Sequence, residues 1–295
     1  MSQHEVRWCF HATAMVADYE RTRDALVRLV GLRVLEDSRL EHPAIGRRGG
    51  MAWVGDNAIE IGEPIVDGGA VDRFVRRFGS HMSSVAVQVQ DIDATISHLE
   101  AHGAPVASRP EPHIVFTAAT GTEGIVIEWF GDEEPLDPRF GARIPPAGIL
   151  PLLEVTHMAF AGVMVRDPAA SARRFAALFG REITFLDCDA SAGHPQAGVS
   201  MGDVTLAVYP VPSSPAESQE LWGWTYERPQ TCNLGLRVPN LAVARHALEQ
   251  AGVVLTRQDN RSLVIGPEVT GGVVLVIVEE LLIGDPRHRI GEETT

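Results

Sequence analysis

Cysteine is scarce in this chain. Its three residues, Cys9, Cys188 and Cys232, are odd in number and far apart. Neither a disulfide framework nor a zinc-finger spacing can be drawn from them, and a reducing cytoplasm is the expected compartment. Positive charge is also short. With 25 basic against 39 acidic residues the net charge is −14, which speaks against a nucleic-acid partner, since that needs a basic face. It equally disfavours an anionic membrane surface, although Arg47, Arg48, Arg76 and Arg77 are available for a local basic pocket. Long apolar runs are missing as well. The opening MSQHEVRWCF is polar and charged, without a signal-peptide core, and the late run Val273–Val278 has the length of a buried strand. What remains is 295 residues with 45% apolar and 22% charged, the make-up of a globular protein with room for two cores.

The chain repeats itself. VADYERTRDALVRLVG, from Val16, matches VRDPAASARRFAALFG, from Val165, at an offset of 149 residues. Both carry an Asp (Asp18, Asp167) ahead of an amphipathic helix and a Gly (Gly31, Gly180) behind it, as helix ends require. VQDIDATISHLEAHGAPV, around Asp91, matches VPNLAVARHALEQAGVVL, around Asn240. Strand-like segments between these helices correspond too, with Gly55-Asp56 answering Gly202-Asp203 and the run ending at Glu128 answering the run ending at Val276. Four matches in order at nearly constant offset indicate duplication. Within each half the order strand, helix, several strands occurs twice, so an α+β chain of four βαβββ units is expected. The expected limits are 1–131 for the first domain, 132–149 for an exposed linker, 150–283 for the second domain, and 284–295 for a tail that is frayed or used for contacts.

Two strands of the first half contain a carboxylate inside an apolar run: Glu60 between Ile59 and Ile61, and Glu128 between Ile127 and Trp129. Burying an ionised carboxylate in a sheet is costly unless a cation or good hydrogen bonds compensate. His11 lies in the opening strand of the first unit and His81 opens the second. His11, Glu60, His81 and Glu128 together make a two-nitrogen, two-oxygen set suited to one divalent transition metal: Zn, Ni, Fe, Mn or Co. The competing reading places all four on half-exposed strands facing solvent. At the matching places the second half has Phe160, Ala207, Gln230 and Val276, none a strong ligand, so the full set belongs to one half only.

HATAMVADYERTRDALVRLVGL, GGMAWVGDNAIEIGEPI, HMSSVAVQVQDIDATISHLEAHGAPV and TGTEGIVIEWF carry a resemblance to the vicinal oxygen chelate superfamily, which includes glyoxalase I, methylmalonyl-CoA epimerase, extradiol dioxygenases and antibiotic-resistance proteins. The resemblance spans nearly the whole chain and implies two tandem domains of curled mixed sheets. It also implies that the metal ligands fall on His11, Glu60, His81 and Glu128. A lyase or isomerase is implied first, acting on a small substrate with neighbouring oxygens through an enediolate, with Glu60 or Glu128 as base. His113 and Arg109 are candidates to shuttle a proton or hold a substrate carboxylate, the bland reading of His113 being a solvent-facing strand residue. Arg47 and Arg48 are candidates for the entrance, or else lie in a solvated loop. An iron-dependent ring-cleaving dioxygenase is the first alternative, with His11, His81 and Glu128 as its triad. A sequestering protein is the second, with Phe160, Trp222, Trp224 and Tyr226 as stacking surface in the second half. The chain departs from the epimerases in having no acid in Gly50-Met51-Ala52-Trp53. A homodimer is a further expectation.

Overall fold

The computed structural model describes residues 4–35, 40–42, 46–131, 137–141, 143–186 and 192–288; Cys188 lies outside them. The first half holds strands β1 (Val6–Met15), β2 (Arg33–Val34), β3 (Leu40–His42), β4 (Arg47–Val54), β5 (Asn57–Pro64), β6 (His81–Val89), β7 (Val106–Glu111), β8 (Ile114–Thr117) and β9 (Val126–Phe130). Its helices are α1 (Tyr19–Val30), α2 (Ala70–Phe78) and α3 (Ile92–Ala101). The second half holds β10 (His157–Val165), β11 (Ile183–Leu186), β12 (Ala197–Ser200), β13 (Thr205–Pro210), β14 (Gln230–Arg237), β15 (Arg257–Gln258), β16 (Ser262–Ile265) and β17 (Val274–Val278). Its helices are α4 (Pro168–Phe179), α5 (Pro215–Trp222), α6 (Leu241–Gln250) and the short α7 (Pro267–Thr270).

The repeated signals act as expected. Asp18, Asp91, Asp167 and Asn240 each accept a backbone N–H from the first turn of the following helix, which satisfies donors that the helix itself leaves unpaired. Gly31 and Gly180 close α1 and α4 in the left-handed conformation. Each half folds into one mixed sheet. The orders are β2-β4-β5-β1-β6-β9-β8-β7, with β3 beside β4, and β11-β12-β13-β10-β14-β17-β16-β15. In both, an antiparallel pair (β1 with β6, β10 with β14) joins two βαβββ units inside the same half. Each sheet is therefore built from the strands of one half alone.

Side chains alternate across these strands. One face of both sheets, with Leu26 and Leu29 of α1 and Phe175 and Phe179 of α4, forms a single core running through both halves. The Trp129 and Phe179 rings meet edge-on across it at 5.8 Å. The other face of the first sheet forms a cup walled by Phe10, Met51, Trp53 and Phe130. The second cup is filled by its own side chains, Phe160, Tyr209, Trp222 and Tyr226 among them. Phe160, Trp222 and Tyr226 are therefore packing groups, and of the four aromatics expected as a stacking surface only Trp224 is not buried.

The segments expected to be a linker and a tail do structural work. Asp56 and Asp203, in equivalent turns, accept the backbone N–H of Met158 at 2.8 Å and of Cys9 at 2.7 Å. Arg139, after β9, donates to Asp203 at 3.0 Å and to the Cys9 carbonyl at 3.1 Å. Arg287, after β17, donates to Asp56 at 3.2 Å and to the Met158 carbonyl at 2.9 Å. Asp137 and Asp285, both fully buried, orient these guanidinium groups at 2.9 Å each. The two halves thus clasp each other through a quasi-twofold set of eight residues' groups in which each half holds the other's first strand.

Candidate metal centre

His11, Glu60 and Glu128 converge in the first cup, each offering one ligand atom within 4.8 Å of the others. Strand register brings this about. Glu60 on β5 pairs opposite Thr13 of β1, Glu128 on β9 opposite Ala86 of β6, and Ala86 opposite His11. Four adjacent strands therefore aim three ligands at one point. All three side chains are buried.

Each carboxylate divides its two oxygens between the protein and the histidine. Glu60 takes an ion pair from Arg47 on Oε1 and turns Oε2 to His11 Nε2 at 3.7 Å. Glu128 accepts from Ser84 Oγ at 2.5 Å and Thr13 Oγ1 at 3.1 Å, both on Oε1, and places Oε2 3.9 Å from the same nitrogen. Those separations are too long for hydrogen bonds, and among the described residues neither ring nitrogen of His11 has a hydrogen-bond partner. Burial holds the imidazole down at about 4, so it is neutral and its lone pair is free. Burial, then the neighbouring Glu60, pushes the Glu128 carboxyl up to about 7. Two carboxylates face one guanidinium here, so the cluster lacks a positive charge that a proton or a metal ion would supply. The unsatisfied His11 nitrogen and the nitrogen–oxygen–oxygen donor set both fit a borderline divalent ion.

His81 does not join this group. It pairs opposite Met15 at the end of the β1–β6 ladder, where its ring stacks on Phe74 at 4.8 Å and Trp224 at 6.0 Å and its Nδ1 meets the Gly79 carbonyl at 3.2 Å. The place in β6 equivalent to His11 belongs to Ser84, opposite Thr13. In the second half the same register pairs Gly162 with Asn233, so the true counterpart of Ser84 is Asn233, while Gln230 answers His81. A signal existed for this: His11 stands seven residues before Asp18, and Ser84 seven before Asp91.

The remaining expected site residues are scattered. Arg47 lies on β4, not in a loop, and enters the cluster through Glu60. Arg48, next along the strand, faces the other way, is largely exposed and pairs with Glu63. Arg109, on edge strand β7, pairs with Asp93 and donates to the Pro112 carbonyl. His113 sits in the turn between β7 and β8, where its carbonyl accepts the Gly131 N–H. Neither belongs to the His11 cluster. Cys9 is packed in the common core, where burial pushes its thiol up. Thr13, Ser84 and the Asp137-Pro-Arg139 and Asp285-Pro-Arg287 repeats were not singled out from sequence, although the two tripeptides recur at the duplication offset.

Comparison with known proteins agrees with this architecture. Residues 10–120 match the family model described as Glyoxalase/Bleomycin resistance protein/Dioxygenase superfamily. A triple mutant of 4-hydroxymandelate synthase from Streptomyces coelicolor is similar in fold over 99% of this chain and 100% of its own, with 15% identity and a TM-score of 0.64. Methylmalonyl-CoA epimerase from Mycobacterium tuberculosis covers 46% of this chain and 95% of its own, with 19% identity and a TM-score of 0.41. No curated protein matches the chain. The match to the Glyoxalase/Bleomycin resistance protein/Dioxygenase superfamily thus lies within the first half of the chain, with His11 and Glu60 inside the matched segment.

Proposed function

We propose that the first-half cup is the active centre of a metal-dependent isomerase or lyase that moves a proton next to a carbonyl of a small substrate. The observation that carries this reading is the convergence of His11, Glu60 and Glu128 around an imidazole nitrogen with no partner. His11 Nε2, Glu60 Oε2 and Glu128 Oε2 would hold the ion. When bound, it supplies Lewis-acid polarisation of substrate oxygens, which acidifies the adjacent C–H.

The chain's own groups do the rest. Arg47 fixes Glu60 from one side, and Ser84 and Thr13 fix Glu128 from the other, leaving one oxygen of each directed inward. The inward oxygen of Glu60 or Glu128 is the group placed to take the proton and return it. Phe10, Met51, Trp53 and Phe130 keep water from the reacting carbon. The ring-cleaving dioxygenase reading calls for two imidazoles and one carboxylate. One imidazole and two carboxylates converge here, which favours proton transfer.

The test uses chelator-treated protein, to which Zn, Ni, Co, Mn and Fe(II) salts are added one at a time. At least one ion should raise the melting temperature of the parent, and H11A and E128Q should lose that response. Hydrogen–deuterium exchange at the carbon beside the carbonyl of hydroxy-carbonyl substrates, followed by NMR, should then depend on the same ion. A parent that binds no ion and gains no stability from any of them overturns the reading.

A further inference from the structure

Helix α2 of the first half ends against the loop that follows α5 of the second, and a cleft of about 490 Å³ opens between them. Arg77, Phe78, Trp224, Glu227 and Arg228 form most of its wall. The guanidinium carbon of Arg228 lies 3.6 Å from the centre of the Phe78 ring, and that of Arg77 lies 5.0 Å from the same ring. Two like charges therefore lie against one aromatic ring.

Among the described residues neither arginine forms an ion pair, although acids outnumber bases in this chain. The contrast with the preceding residue is sharp: Arg76 pairs with both Asp67 and Asp72. Glu227 lines the same cleft yet pairs with neither cation. Holding two guanidinium groups together unpaired costs free energy that a bound anion would return. Partial burial and the Arg77 charge both lower the Arg228 guanidinium below its ordinary value.

The cleft is also preorganised. Ser218 Oγ donates to the Trp224 carbonyl at 2.8 Å and accepts the Tyr226 N–H at 2.7 Å, which pins the loop that carries Trp224 and Arg228. The Trp224 indole fits against Gly79, where a side chain would come within 2.5 Å of it. Its ring also stacks on His81. Every basic residue of the chain is arginine, whose flat fork suits carboxylates and whose plane stacks on rings.

We propose that this cleft binds a planar organic anion, with its acid group between Arg77 and Arg228 and its ring against Trp224. A cavity of this size suits a two-ring acid rather than a bare inorganic ion. The site is distinct from the His11 cluster and does not rest on metal binding there.

Isothermal titration of the full chain with 2-naphthoate tests the proposal, run once with chelator and once without. One molecule should bind per chain in both conditions. R77Q and R228Q should each weaken binding about tenfold or more, and W224L severalfold, while far-ultraviolet circular dichroism and melting temperature of the two arginine variants stay near the parent's. The neutral 2-naphthamide should bind at least tenfold more weakly than the acid. Equal affinity for acid and amide, or binding untouched by both arginine variants, overturns the proposal. Inorganic phosphate binding as tightly as 2-naphthoate would overturn its planar, aromatic part. A 2-naphthoate signal that vanishes with chelator would place the ligand in the His11 cup instead.

Discussion

Arg139 and Arg287 occupy equivalent positions in the two halves, and each donates to the aspartate in the other half's hairpin turn, at 3.0 Å to Asp203 and 3.2 Å to Asp56. Behind each arginine sits a buried aspartate, Asp137 or Asp285. Removing the guanidinium strands that carboxylate without a counter-charge. R139A and R287A should therefore each lower stability by about 3 kcal/mol, read from urea denaturation. Losses below a few tenths of that size would mean that the clasp forms without holding the halves together.

His11 presents the opposite case. Its ring nitrogens are buried and unsatisfied, so the imidazole is a burden on the ion-free fold. H11L should leave stability in chelator unchanged or raise it by about 1 kcal/mol, while removing any gain from added divalent ions. Denaturation in chelator and in excess ion reads both halves of this prediction. A marked loss of stability in chelator would show that the imidazole serves the fold and not a ligand.

His4 ties the amino-terminal segment to the rest through Thr95 Oγ1 at 3.0 Å and the Leu178 carbonyl at 2.9 Å. Burial pushes its imidazole down from 6.5 to about 4. The folded chain thus holds it neutral where the unfolded chain protonates it. Its contribution is complete above pH 6.5 and is lost as pH falls through about 4. Burial of Glu128 acts in the opposite sense, so the informative quantity is the stability difference between the parent and H4Q. That difference should shrink steadily from pH 7 to pH 4; a constant or growing difference would contradict it.

Gly79 ends α2 at φ 73° and ψ −175°, a conformation essentially restricted to glycine. A methyl group there would also press on Trp224. G79A should cost about 1–3 kcal/mol and change the near-ultraviolet circular dichroism of the indole. An unaltered spectrum with unchanged stability would show that the turn and Trp224 move independently.

Much of this was legible in the sequence. The duplication, the helix ends and the βαβββ order follow from local signals at fixed spacing, which the backbone obeys wherever the chain goes. Glu60 and Glu128 stood out because a carboxylate inside an apolar run demands a reason. His81 misled for a reason of register. The β1–β6 ladder shifts between Thr13 and Ala14, so Ser84 pairs with Thr13 and the histidine three residues earlier falls at the ladder's end. The pairing of Arg47 with Glu60 depends on how β4 lies beside β5, which no single segment encodes. Asp137 and Arg139 were hidden by composition: a stretch rich in Pro, Asp and Glu reads as solvent-exposed, yet its aspartate is enclosed.

The clasp has a consequence for how the molecule behaves at low abundance. Separate copies held by mutual contacts fall apart on dilution, because association is governed by mass action. Here the two copies are carried on one polypeptide, and each stays at the high local concentration that the joining segment imposes. Melting should therefore be independent of protein concentration. The interior of the second copy is filled by Phe160 and its neighbours, so what the clasp keeps beside the first cup is a packed body on the same chain.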